Sequence, residues 1–491
     1  MKSKLYKTLN FWLPKIPFLT LIFTLLLPII IININYDAGL FFIALYISYW
    51  TIKVFESYFF VLKSYLSLLR VAKINFAKNE ILHRDAKNLK HIVIVPVYTE
   101  PLDVIEENIK SLLANIYEYK QNITIILATE ARAPDAEKNA KYIIEKYKDN
   151  KMKIVNIVHP ADLPGEGKVK GANITYAIRE YEKQEKLNPK RTFVSTIDTD
   201  TKVEKKFFSI VSWIFLTTDH PHQAIFQFTP LYSNNWKKGK FFARIVAAGT
   251  TIWQLFESQN PEFYRNFAVY GQSLLCLHKA DYWSKTSIVE DGMQYWRAYF
   301  GWDGLFRIVH TPAICEMDVV EESNTFNTFR AQYKQLRRWS WGCSDIEYVI
   351  PKFLENKKIP KKDKIRKTFY LIQNHLFWAG GPMLLFYIGY IPGLFSTIES
   401  SLATFTVPIA TSVIFTFLFL TIIFPSVISI HILSKYIHFS FKDYLFSLFQ
   451  WIFLPVLMLT LFSFPAIESQ FRLFLGKRID SFDTTKKMSR N

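Results

Sequence analysis

Residues 192–200 read TFVSTIDTD, a β-branched and aromatic run closed by Asp198 and Asp200. Its length and composition predict a buried strand with the acidic pair at its carboxyl end. Three similar runs precede it: HIVIVPV from His91, ITIILA from Ile123 and KIVNIV from Lys153. Between them the apolar positions take a helical period over 102–118, 135–149 and 168–187. Strands alternating with helices predict an α/β domain, a mainly parallel sheet with helices on both faces. Ligands of such sheets bind beyond the carboxyl ends of the strands.

The polar punctuation falls at those ends. The first strand runs into Val97-Tyr98-Thr99-Glu100, the second into Thr129-Glu130-Ala131-Arg132, the fourth into Asp198-Thr199-Asp200. Acidic residues at three strand ends predict a crevice for a charged or metal-linked ligand. Residues i and i+2 of an extended chain share a side, so Asp198 and Asp200 can face one ion. Hard carboxylate oxygens suit Mg²⁺ or Mn²⁺, which also bind substrate phosphates; the competing reading is a solvated turn. Gly165-Glu166-Gly167-Lys168-Val169-Lys170-Gly171-Ala172-Asn173 opens a helix. Its glycines allow close backbone approach and its lysines oppose phosphate charge, although the spacing is not that of a Walker loop. Glu290-Asp291 precedes another helical run and offers a general base, or only an acidic first turn favoured by the helix dipole. Gln335, Arg338 and Trp339 stand at i, i+3 and i+4 and share a helix face. That face suits a sugar acceptor beside a diphosphate, or a helix lying at lipid headgroups.

The flanks are different in kind. Of 491 residues 50% are hydrophobic, 17% aromatic and only 21% charged, and the apolar residues concentrate near both ends. Residues 17–34 carry no charge and follow a basic segment, without the small-residue site of a cleaved leader. A second apolar run spans 40–62, interrupted by Lys53 and Glu56. Three more are expected at 369–394, 402–433 and 444–464. Basic flanks place the termini and the middle domain on the cytoplasmic side of the plasma (inner) membrane. Three crossings would leave the basic tail outside, so one C-terminal segment is expected to be split, re-entrant or interfacial. The formal charge of +18 fits anionic lipids or a phosphorylated substrate, and no nucleic-acid-binding signature accompanies it. Cys276, Cys315 and Cys343 form no C-x-x-C pair and read as buried small residues.

In this order the motifs resemble the processive branch of the family 2 glycosyltransferases, which includes cellulose, chitin, hyaluronan and poly-N-acetylglucosamine synthases. Asp198-Thr199-Asp200 resembles its D-x-D, Val289-Glu290-Asp291 its T-E-D, and Gln335-Leu336-Arg337-Arg338-Trp339 its Q-x-x-R-W. Pro96-Val97-Tyr98-Thr99-Glu100-Pro101 is similar to the family's uridine-binding start, and Lys170-Gly171-Ala172-Asn173 to its phosphate segment. Phe482-Asp483-Thr484-Thr485-Lys486-Lys487 resembles the cellulose synthase gating loop. The sequence departs at Val289 and Thr99, and Glu130 stands where the family has its first acidic motif.

The resemblance implies a glycosyltransferase A fold inserted between transmembrane helices, an inverting mechanism and a nucleotide-sugar donor, taken as UDP-linked. It implies Mg²⁺ or Mn²⁺ on Asp198 and Asp200, nucleotide contacts from Tyr98, Glu100, Glu130 and Lys170, and Asp291, with Glu290, as the catalytic pair. Gln335, Arg338 and Trp339 would hold the acceptor, while Phe482, Thr485 and Lys487 would close over the nucleotide. The implied organisation is a membrane region (1–70), a cytoplasmic transferase domain (90–345), a basic interfacial linker (346–368), a second membrane region (369–470) and a basic tail (471–491). The implied product is a growing β-linked polysaccharide, and with so few membrane segments an export channel calls for an accessory subunit or a second copy. A single transfer to a lipid or lipid-linked acceptor is the alternative. A transporter without catalysis fits less well, because the spans offer little charge beyond Lys53, Glu56, His375 and His431.

Overall fold

The uncharged run and the aromatic run after it form two helices in the computed structural model, which describes residues 8–76, 79, 84–395, 409–410, 412–414, 416–417 and 419–479. Helix α1 spans Thr8–Ile34, and α2 spans Tyr36–Ala72. Extended Asn35 separates them, and its side-chain oxygen accepts the Ala38 amide at 2.9 Å, capping α2. At 37 residues α2 is roughly 55 Å long, well beyond a bilayer core of roughly 30 Å. By internal contacts the chain forms two units. The first gathers the described residues of 1–62, 332–351 and 361–478; the second gathers those of 63–331 and 352–360, with 479.

The second unit holds the sheet. The four expected runs become β1 (Lys90–Pro96), β2 (Ile123–Glu130), β3 (Lys153–His159) and β4 (Thr192–Thr196). The amphipathic stretches become α3 (Leu102–Leu113), α4 (Pro134–Lys146) and α5 (Lys170–Gln184). Beyond β4 come β5 (Lys202–Val203), α6 (Phe207–Thr217), β6 (Ala224–Leu231), α7 (Phe241–Glu257), β7 (Tyr270–Ser273), α8 (Leu274–Lys279), α9 (Glu290–Gly301) and β8 (Arg307–Glu316). The strand order is β3-β2-β1-β4-β7-β6-β8-β5. β3, β2, β1 and β4 are mutually parallel, β7 is antiparallel to both β4 and β6, β8 is parallel to β6, and β5 is antiparallel to β8. The sheet is therefore mixed, with β7 and β5 reversed against six strands of common direction. Every residue of β2 and β6 is buried, so both faces of the sheet are covered there.

The first unit continues with the second half of α10 (Thr325–Ser340), the start of α11 (Ile346–Glu355), α12 (Lys361–Tyr387), α13 (Ile391–Phe395), α14 (Ile423–Leu433) and a long helical run, α15 (Phe441–Phe474). Two apolar clusters pack it, one of Leu21, Ala379 and Ala466, the other of Ile32, Ile43, Ile47, Ile388 and Ile391. Among the described residues three helices are long and apolar enough to cross a membrane: α1, α2 and α15. Of the three segments expected after the soluble middle, the one at 444–464 lies within α15. The expected 369–394 segment runs along α12, through a 3-10 turn at Ile388–Tyr390 and into α13, and polar Gln373, Asn374 and His375 interrupt its apolar run. Much of 402–433 lies outside the described residues, and its described end is the short α14.

One core group makes the sheet acid-sensitive. His91 on β1 is 1% exposed and packs edge-on against Tyr117 and Phe208, with Nε2 2.8 Å from the Ser212 hydroxyl. Burial pulls its pKa down to about 3. The unfolded chain takes a proton there below about pH 6.5 while the folded chain does not, so stability present above that pH is lost as pH falls. Unfolding followed in detergent at pH 7 and pH 5 is expected to show a smaller loss in His91→Leu than in the parent, by about 2 kcal/mol.

Candidate active site

Strands β1 and β4 lie side by side and end at one edge, and the chain leaving β4 is fastened there. The Ile197 amide donates to the Ile94 carbonyl at 3.1 Å, and the Thr199 hydroxyl donates to the Pro96 carbonyl. Buried Asn108, on α3, donates to the carbonyls of Asp198 (3.2 Å) and Thr201 (2.6 Å). Asn234 donates to the Asp200 carbonyl at 2.8 Å. Two carboxamides thus fix the backbone of the acidic turn, leaving its side chains to do other work. Asp198 is partly open, and Asp200 is 4% exposed.

Lys170, at the start of α5, connects this turn to the Glu290-Asp291 segment. Its Nζ lies 2.6 Å from Asp198 Oδ1 and 3.2 Å from Glu290 Oε1, and its side chain is 9% exposed. The approach of α5 depends on Gly171. A Cβ there would meet the Ser284 carbonyl oxygen at 2.1 Å and Glu290 Cβ at 3.2 Å. The glycine thus serves helix packing. Burial opposes the Lys170 charge, but Asp198, Glu290 and Asp291 outweigh it and hold the pKa above the ordinary lysine value. Burial pushes Glu290 up to about 6, against the pull of Lys170 and with the push of Asp291 and Asp198. The carboxylates act on both groups in the same sense: one ammonium faces three of them, which leaves an excess of negative charge.

Asp291 is held by backbone. Its Oδ1 accepts the Gly292 amide at 2.7 Å and its Oδ2 the Ala268 amide at 3.0 Å. Tyr232, just past β6, is 6% exposed; burial and the charges of Asp200, Asp198 and Asp291 push its hydroxyl far above the ordinary range. Tyr270 on β7 accepts the Trp283 indole N–H at 2.8 Å. At the ends of β1 and β2, the Tyr98 amide donates to Glu100 Oε2 at 2.7 Å, Glu130 is ion-paired with Arg132, and the Arg132 guanidinium lies 5.0 Å above the Tyr98 ring. Glu166 of the glycine-rich loop bridges His159 (2.8 Å) and Lys285 (2.7 Å).

The sequence-derived residues therefore divide. Lys170, Asp198 and Glu290 are in direct contact, with Asp291 next in the chain and Asp200 two residues on. Tyr98 and Glu100 lie past the end of β1, and Glu130 is the last residue of the adjacent β2. Gln335, Arg338 and Trp339 lie on the half of α10 that belongs to the first unit. There Gln335 accepts from Gln332 at 2.9 Å, and the neighbouring Tyr333 and Arg337 both bind Glu468 of α15, at 2.9 and 2.8 Å. Phe482, Thr485 and Lys487 lie outside the described residues. Among the described residues no group of three or more His, Cys, Asp and Glu is disposed to hold a metal. Asn108, Asn234, Tyr232 and Arg132 were assigned no role from sequence. Only Asn108 carried a signal, a polar residue on the apolar stripe of α3 between Ile105 and Leu112.

No protein-family model matches the sequence, and no curated protein matches it. Solved structures resemble the chain loosely. The mannosyltransferase PcManGT from Pyrobaculum calidifontis, in complex with GDP-Man and Mn²⁺, aligns over 87% of this chain and 99% of its own at 12% identity, with a TM-score of 0.46. TarS 1–349 of S. aureus aligns over 72% and 94% at 13% identity, with a TM-score of 0.32. GalNAc-T7 with UDP, GalNAc and Mn²⁺ aligns over 58% of each chain at 11% identity, with a TM-score of 0.36.

Removing the buried ammonium leaves two carboxylates facing each other. Lys170→Met is expected to destabilise the protein by about 3 kcal/mol. Adding Glu290→Gln should restore more than half of that. Thermal unfolding of the two variants in one detergent checks both.

Proposed function

We propose that the chain is a membrane-anchored, inverting glycosyltransferase of the glycosyltransferase A type that uses a nucleotide sugar, taken as UDP-linked, to extend a β-linked glycan. The observation that carries this reading is the contact of Lys170 with both Asp198 and Glu290. It joins three motifs far apart in sequence, the lysine of the phosphate segment, D-x-D and E-D, which by the resemblance to family 2 belong to one site. A purely structural ion pair would need one carboxylate; this crevice gathers three around one ammonium.

The residues fit a divalent cation in chemistry. Asp198 and Asp200 supply hard oxygens in a crevice with excess negative charge, and Mg²⁺ or Mn²⁺ takes one or two carboxylates and completes its shell with phosphate oxygens and water. Such an ion, when bound, neutralises the diphosphate and eases its departure. Lys170 adds a positive charge toward the same phosphates, and Tyr98, Glu100 and Glu130 line the nucleoside side. Asp291 takes the proton of the acceptor hydroxyl as that oxygen bonds the anomeric carbon. The bond from that carbon to the diphosphate breaks on the opposite face, so the configuration inverts and a nucleoside diphosphate leaves. Glu290, kept buried beside Lys170, sets the charge next to the base. By resemblance Gln335, Arg338 and Trp339 hold the acceptor end, and Phe482, Thr485 and Lys487 cover the nucleotide.

Helices α1, α2 and α15 provide the anchor, and the basic flanks assign the catalytic unit to the cytoplasmic side of the plasma membrane.

Incubating the purified protein in detergent or liposomes with UDP-linked sugars and Mn²⁺ or Mg²⁺ is expected to release UDP, and chelation to stop it. A product ladder identifies polymer synthesis, and a single band identifies one transfer to a lipid-linked acceptor. Asp291→Asn should lower turnover by at least a hundredfold while leaving UDP·Mn²⁺ affinity within a factor of about two. Parental turnover in that variant excludes Asp291 as the base.

A further inference from the structure

The segment between α7 and β7 is held in an unfavourable conformation beside Asp291. Ala268 has φ of +45°, a left-handed backbone that a residue with a Cβ seldom adopts. Its amide donates to Asp291 Oδ2 at 3.0 Å. The preceding Asn266 is 3% exposed and donates from Nδ2 to the Asp291 carbonyl at 2.6 Å. The other side-chain atom, Asn266 Oδ1, is buried without a hydrogen-bond partner among the described residues. Both features cost stability, and a segment serving only to connect two elements would shed them.

One buried side chain enforces this conformation. Gln227 on β6 is 0% exposed. Its Oε1 accepts the Phe267 amide at 2.6 Å, and its Nε2 lies within donor reach of the carbonyls of Phe267 (3.0 Å), Val269 (2.9 Å) and Phe228 (2.8 Å). The residues on both sides of Ala268 are thus clamped by one carboxamide, and Ala268 is left no freedom to turn its N–H away from Asp291.

We propose that Gln227 and Asn266 are positioning residues for Asp291. Gln227 fixes the Ala268 amide, and Asn266 fixes the Asp291 backbone. With Oδ2 held by Ala268 and Oδ1 by Gly292, the carboxylate plane is set, and the remaining lone pairs are left to take the proton of the acceptor hydroxyl. Neither residue touches the reacting atoms.

This inference rests on Asp291 being the base, and the variants separate the two ideas. Asn266→Ala and Gln227→Met are compared with the parent and with Asp291→Asn, using the UDP-sugar that supports turnover, Mn²⁺·UDP binding and thermal unfolding. Asn266→Ala is expected to lower kcat tenfold or more, with the KM for the donor and the Mn²⁺·UDP affinity within twofold. Gln227→Met should show the same split. If it fails to fold, Asn266→Ala alone decides. An inactive Asp291→Asn beside parental kcat in a folded Asn266→Ala overturns the positioning role and leaves the base in place. So does a loss in Asn266→Ala shared equally between kcat and nucleotide affinity, which marks a structural role only. Parental turnover in Asp291→Asn overturns the base itself.

Discussion

Lys170 carries a charge into a place where a lone charge would cost several kcal/mol. What makes it tolerable is geometry, Asp198 at 2.6 Å and Glu290 at 3.2 Å. Each carboxylate arrives on a different element: Asp198 past the end of β4, Glu290 at the start of α9. The ammonium therefore pins the start of α5 against two other parts of the unit, and errors in any of the three would leave a charge uncompensated. The same arrangement sets the chemistry. One cation among three carboxylates is underneutralised, which holds Lys170 protonated, while burial, with the neighbouring carboxylates, pushes Glu290 up to about 6. That electrostatic state is the physical basis for the divalent cation in the proposed function.

Packing delivers the three elements with little tolerance. Gly171 lets α5 approach the Ser284 carbonyl to a distance that a Cβ forbids. The acidic turn is anchored through its backbone by Asn108 and Asn234, so its position does not depend on its carboxylates alone. Outside the crevice, Ser64 on the last turns of α2 donates to the Leu255 carbonyl at 2.6 Å, and Gln259 donates back to Ser64 at 2.8 Å. The end of α7, from which the segment carrying Ala268 departs, is therefore itself tied down.

Much of this was legible before any coordinates. The four parallel strands declared themselves because β-branched runs in buried parallel strands carry no competing periodicity, and the acidic residues fell at their ends as Asp198, Asp200 and Glu130 show. The later half of the sheet was not legible. β5 has two residues and β7 four, too short for a pattern, and both are the reversed strands. AIFQFTPL, the β6 sequence, carries Gln227 and Pro230, which break its apolar run on paper; in the structure Gln227 is buried by hydrogen bonding to backbone. The packing role of Gly171 was not legible, because local sequence cannot show Ser284 arriving from over a hundred residues away. The N-terminal helices were legible as helices because their apolar runs are long, whereas α12 mixes Gln373, Asn374 and His375 into its apolar stretch.

The reversed strand β7 has a chemical consequence. In an all-parallel sheet every chain entering a strand does so at the amino edge, away from the ligand crevice. Because β7 is antiparallel to β4, its first residue pairs with the last of β4, Tyr270 with Thr196. The segment leading into β7 thus reaches the carboxyl edge, just where Asp198 and Asp200 begin. It brings Asn266 and Ala268 to Asp291, which side chains from the parallel strands would have to reach from below. β6, antiparallel to β7, sets Gln227 opposite Tyr270, within reach of the backbone that precedes it. Reversing one four-residue strand therefore gathers the acidic turn, the proposed base and the residues that orient it at a single edge, from parts of the chain nearly a hundred residues apart.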